Sequence, residues 1–127
     1  MPMVRVSVRS GQSDAWRAAV SEGIHSAMVD TINVPKDDRF QVITEHRPGE
    51  LVYDSSYLAI PRGEGFLLIQ ITLNAGRTLE QKRALYARIA ENLSRDPGVR
   101  PQDVMINLLE VPKENWSFGN GKASYAT

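Results

Sequence analysis

The stretch FLLIQITLNAGRTLEQ, residues Phe66–Gln81, decides the fold. Its first eight residues, Phe66–Leu73, are almost continuously apolar and β-branched or aliphatic, as in a strand buried on both faces. The run is too short for a core helix and is broken by Asn74, Ala75 and Gly76. Thr78 followed by Gln81 forms a capping box, which starts a helix. That helix carries its apolar stripe at Leu85, Tyr86, Ile89, Ala90 and Leu93, and the segment DPGVRP (96–101) ends it. A further strand follows at Asp103–Val111. The unit reads strand, helix, strand.

The same grammar occurs earlier in the chain. Met3–Val8 alternates apolar and polar residues, as a half-buried strand does. Ser13 or Asp14 then caps a helix whose stripe is Trp16, Val20, Ile24, Ala27 and Met28, running to about Ile32 and stopped by Pro35. Arg39–His46 is the second strand. Gly11 matches Gly76, Asp38 matches Asp103 and Glu45 matches Glu110, an offset of about 65 residues each time, with Pro35 and Pro101 close to it. The chain therefore reads as one α/β domain over residues 1–127, with half-repeats at about 2–48 and 66–112. Each crossover is right-handed with its two strands parallel. Two such units pair about a pseudo-twofold axis into a four-stranded sheet with both helices on one face. The other face stays uncovered, so the sheet is expected to be buried by oligomerisation. Between the halves, residues 51–65 are loop-rich. The tail ENWSFGNGKASYAT (114–127) reads as a turn or short hairpin.

Composition narrows the function. Net charge is zero, with 42% hydrophobic and 24% charged residues. That gives no basic face for nucleic acid and no polybasic patch for a membrane. There is no Cys, so thiolate chemistry is absent. No apolar run approaches the roughly 18 residues of a membrane span, and Arg5 and Arg9 interrupt any signal-peptide pattern. A soluble, cytoplasmic protein is expected. His25 and His46 read as structural, and no spacing suggests a metal site. The glycines of PRGEG (61–65) precede a strand rather than a helix, which argues against nucleotide binding.

Pro2 raises a chemical question. A proline at the start of an edge strand costs no ladder bond. If Met1 is removed, however, Pro2 carries a secondary amine that can take and give a proton. Arg77 is equally pointed. A cation beside a helix N-terminus is disfavoured by a few tenths to about 1 kcal/mol. Free backbone N–H groups next to a guanidinium nevertheless make a good carboxylate site.

Pro directly after Met, a duplicated β-α-β unit, and the segments VPKDDRFQ (34–41), HRPGE (46–50), NAGRTLEQK (74–82) and NWSFGNG (115–121) resemble the tautomerase superfamily, specifically its malonate semialdehyde decarboxylase group. The similarity covers nearly the whole chain. It implies a duplicated β-α-β tautomerase fold, a homotrimer, a small carboxylate substrate and no cofactor. It also implies Pro2 as the proton-bearing amine, Asp38 orienting a water or holding the proline ammonium, and Arg77 binding the substrate carboxylate. Trp116, Phe118 and Tyr125 are implied as apolar walls. The chain departs from some members in having Asn74 and Ala75 where a second arginine stands, and Asn120 where a further Phe or Arg stands.

The leading expectation is decarboxylation of a small 3-oxo acid such as malonate semialdehyde. Keto–enol tautomerisation of a 2-oxo acid, of the phenylpyruvate or 2-hydroxymuconate type, is the alternative, and hydration of an unsaturated acid a side activity. With Met1 retained, Pro2 would have no proton to move, and a non-catalytic trimeric binding protein would be the reading.

Overall fold

The two β-α-β units are joined by their first strands. The computed structural model describes residues 2–125. The first unit comprises β1 (Met3–Arg9), α1 (Asp14–Ile32) and β2 (Gln41–His46). The second comprises β3 (Leu67–Asn74), α2 (Leu79–Arg95) and β4 (Val104–Val111). The sheet order is β2-β1-β3-β4. β1–β2 and β3–β4 are parallel, and β1–β3 is antiparallel with Met3 opposite Thr72 and Val8 opposite Leu67. This is the mixed sheet expected of two right-handed crossovers related by a local twofold axis.

One face of the sheet holds the core. Val4, Val6 and Val8 of β1 and Leu67, Ile69, Ile71 and Leu73 of β3 meet Val20, Ile24, Ala27 and Met28 of α1 and Leu85, Ile89 and Leu93 of α2. The duplication reaches the details that fix each helix start. Ser13 accepts from the Trp16 N–H, and Thr78, at the matching position, accepts from the Gln81 N–H in the expected capping box. Arg17–Glu45 at 2.6 Å and Lys82–Glu110 at 2.8 Å are the same ion pair in the two halves.

Three expectations are corrected by packing. β3 is not buried on both faces within the chain: Leu67, Ile69, Ile71 and Leu73 are buried, while Leu68, Gln70, Thr72 and Asn74 on the outer face are only half-buried. Both helices sit on one side, so the outer residues have no helix over them. Tyr86 falls at the rim of the α2 stripe and is exposed. His25, read as structural, is buried, its Nε2 2.8 Å from the Lys36 carbonyl oxygen. After β4, a short 3-10 turn at Lys113–Asn115 leads into further turns, and no strand follows Val111 among the described residues. The tail is thus the turn, not a paired hairpin. Among those same residues, no helix is long and apolar enough to cross a membrane.

Candidate active site

The antiparallel register of β1 and β3 brings the start of one strand to the end of the other. With Met3 opposite Thr72, Pro2 abuts the point where the Asn74–Arg77 loop leaves the sheet. The Ala75 N–H donates to the Val111 carbonyl at 3.1 Å, so the tail that follows β4 departs from the same place. Three segments distant in sequence meet there for a topological reason.

A cavity of about 390 Å³ lies at this junction, lined by Pro2, Met3, Phe40, Trp116 and Phe118, among others. Pro2 is buried, while Trp116, Phe118 and Tyr125 are half-buried. The Trp116 and Phe118 rings stack with centroids 5.5 Å apart, and Tyr125 meets Phe118 edge-on at 4.8 Å. The three aromatic residues expected as walls form one continuous apolar surface, with Pro2 beside its Trp116–Phe118 part.

Asp38 is 7% exposed, in the turn before β2, where its N–H donates to the Pro35 carbonyl at 3.1 Å. Burial pushes its carboxyl above the ordinary aspartate value, opposed in part by His25. Its Oδ1 is buried without a hydrogen-bond partner. A buried carboxylate without a partner is a candidate for functional chemistry, although His25 Nδ1, Gln41 Oε1 and His46 Nε2 are buried without a partner as well. The duplication supplies a control. Asp103, at the matching position, is 3% exposed, but its Oδ1 accepts from the Gly63 N–H at 2.8 Å and its Oδ2 lies 3.8 Å from Arg100. The Asp103 carboxylate is tied into the backbone, while among the described residues Asp38 Oδ1 is not.

Arg77 does not line the cavity. Its Nη1 donates to the Asn74 carbonyl and its Nη2 to the Ile32 carbonyl, both at 3.2 Å. Ile32 is the last residue of α1, whose final carbonyls lack helical partners and whose last turn has no basic residue. The cation that is misplaced at the start of α2 is therefore well placed at the end of α1, where the dipole favours it. Asn74 also receives the Trp116 indole N–H on Oδ1 at 2.8 Å, and so couples Arg77 to the aromatic wall. Sequence reading noted Asn74 only as a missing arginine. Met3 and Phe40 were also missed as lining residues. Whether Met1 is present in the mature chain falls on a residue outside those described.

Among the described residues no cluster of His, Asp or Glu could hold a metal ion. Two family models, both described as tautomerase enzyme, match residues 38–119 and 2–58. A probable tautomerase of Bacillus subtilis, YusQ, is 46% identical over 97% of each chain. The solved structure of malonate semialdehyde decarboxylase is 34% identical, superimposes with a TM-score of 0.91, and covers 97% of this chain and 95% of its own. A fused 4-OT solved as an asymmetric trimer is 25% identical with a TM-score of 0.78 over 96% of both chains.

Proposed function

The chain belongs to the tautomerase enzymes, and from that membership we propose that it is a cofactor-independent decarboxylase of a small 3-oxo acid, malonate semialdehyde being the type of substrate. The likeness to malonate semialdehyde decarboxylase along nearly the full chain carries this reading. In the scheme, removal of Met1 frees the Pro2 amine. Arg77, whose guanidinium donates to the Asn74 and Ile32 carbonyls, exchanges those acceptors for the substrate carboxylate and sets the C–C bond across the carbonyl plane, a positioning effect. Protonated Pro2 donates a hydrogen bond to the carbonyl oxygen. The C–C bond breaks, its electron pair passes into the carbonyl as an enolate, CO2 leaves, and a proton returns to the carbon to give the aldehyde. Asp38 holds the ammonium or the water that delivers that proton. The stacked Trp116 and Phe118 keep the pocket poor in water, which strengthens both charge interactions and favours loss of the carboxylate charge.

A second reading is keto–enol tautomerisation of a 2-oxo acid. It is favoured by the relation to a probable tautomerase. Neutral Pro2 would then shuttle the proton between carbon and oxygen. A panel of malonate semialdehyde, phenylenolpyruvate and 2-hydroxymuconate separates the two. Release of CO2 from the first supports decarboxylation. Ketonisation of the other two without CO2 release overturns it in favour of the tautomerase.

The active form proposed is a homotrimer. The outer face of the sheet is apolar at its two edges, with Phe40 and Val42 at the β2 edge and Met105 and Leu109 at the β4 edge all exposed. Between them stand Arg5, Ser7, Gln70 and Thr72. Two different apolar edges on one face suit head-to-tail contacts that close into a ring.

A further inference from the structure

The local twofold that builds the candidate site also builds a second cavity. Under the offset of about 65 residues, Trp116 maps to Leu51, Phe118 to Tyr53, the Asn74–Arg77 loop to Arg9–Gln12, and Pro2 to Leu67. A cavity of about 420 Å³ lies at that mate position, lined by Arg9–Gln12, Leu51, Tyr53 and Phe66, with Arg47 and Glu64 at its walls. The reason is again the register: Val8 lies opposite Leu67, so the Arg9–Gln12 loop leaves the sheet beside the start of β3. We propose that this second cavity is a non-catalytic binding site for a small aromatic carboxylate.

Three observations support the ligand class. Tyr53, the mate of Phe118, stacks on Phe66 with centroids 4.9 Å apart and planes inclined by 19°, a preformed flat aromatic wall. Arg9 and Arg47 outnumber the single lining carboxylate of Glu64. Their present partners, Glu64 to Arg9 at 2.8 Å and Glu50 to Arg47 at 3.3 Å, are exposed ion pairs. Such pairs contribute little, so a ligand carboxylate competes with them at small cost. Catalysis is absent because the residue in place of Pro2 is Leu67, mid-chain and buried, and Asp103 in place of Asp38 is bonded to Gly63. The carboxylate class rests on the function proposed above; the cavity and its charges do not.

The test is an NMR titration of the uniformly 15N-labelled protein with benzoate. The Trp116 indole N–H reports on the first cavity and the Gly11 amide on the second. Saturable shifts are expected at both. The double variant Arg9→Gln/Arg47→Gln is expected to weaken the Gly11 curve by about tenfold, the loss of a charge-assisted contact, and to leave the Trp116 curve in place. Tyr53→Leu, which removes the stack but no charge, should weaken the Gly11 curve as well. A Gly11 curve that is flat, or that neither variant moves, overturns the second site. A flat Trp116 curve beside a saturable Gly11 curve supports the second site and counts against the function proposed for the first.

Discussion

Asp38 and Asp103 stand at equivalent positions with opposite surroundings, and the difference is measurable. Burial raises the Asp38 carboxyl above its ordinary 3.8, so the folded protein holds that proton more tightly than the unfolded chain. The resulting stability is present below the ordinary aspartate value and is lost as pH climbs through the raised one. Asp38→Asn removes the cost of the unpartnered charge. It should gain about 1 kcal/mol at neutral pH, no gain in acid, and a loss of turnover. Asp103→Ala should instead lose about 1–2 kcal/mol, because it strands the Gly63 N–H. Thermal melts at two pH values decide both, and equal behaviour of the two variants would contradict the asymmetry. Arg77→Ala should lower kcat/KM by about a hundredfold, as expected for a charged hydrogen-bonding partner. It should also lower Tm by a few degrees, since the Ile32 carbonyl loses its donor. The residues proposed to carry chemistry, Pro2, Asp38 and Arg77, stood out by type and position. Their partners were not: the Arg77–Ile32 contact spans 45 positions in sequence, and no local pattern encodes it. His25 was readable as structural, but its partner was not, since the Lys36 carbonyl that fixes it lies beyond the end of α1.

At the scale of the element, the duplicated helix starts give a matched pair of perturbations. Ser13 and Thr78 cap α1 and α2 in the same way, yet only Thr78 sits beside a loop that carries a candidate substrate ligand. Ser13→Ala and Thr78→Ala should each cost about 1 kcal/mol of stability. Thr78→Ala alone should also raise KM more than it lowers kcat, since it loosens the approach of Arg77. Steady-state kinetics beside chemical denaturation would show it, and an equal KM effect from Ser13→Ala would count against the placement of the site. Helices and strands were legible here because period and caps agreed: Thr78, Gln81, Leu85, Ile89 and Leu93 all fall where the structure uses them. β3 was misjudged in one respect. Its apolar run contains Leu68 and Thr72, whose outer-face burial depends on what covers the sheet, which the strand's own sequence does not contain.

For the whole molecule, the unresolved burden is that outer face. A monomer leaves Val42 at 46% and Leu109 at 44% exposed on opposite edges of one sheet. Next to the β4 edge, Leu68 and Met105 line an apolar cavity of about 600 Å³ beneath Tyr57, Leu58 and Ile60 of the central loop. If the β2 edge of one copy packs on the β4 edge of the next, three copies close the ring and no apolar edge remains. A charge at either edge would then break the ring, since an unpaired carboxylate is costly to bury there. Val42→Asp and Leu109→Asp should each run as smaller species than wild type by size-exclusion chromatography with light scattering. The two variants mixed make the sharper measurement. Each retains one intact edge, and the two intact edges are complementary, so a head-to-tail interface predicts a mixed two-chain species that neither variant forms alone. A face-to-face interface that pairs like edges predicts no such species. Recovery of the mixed dimer would establish the polarity of the contact, and its absence, with both variants still folded by circular dichroism, would reject the ring.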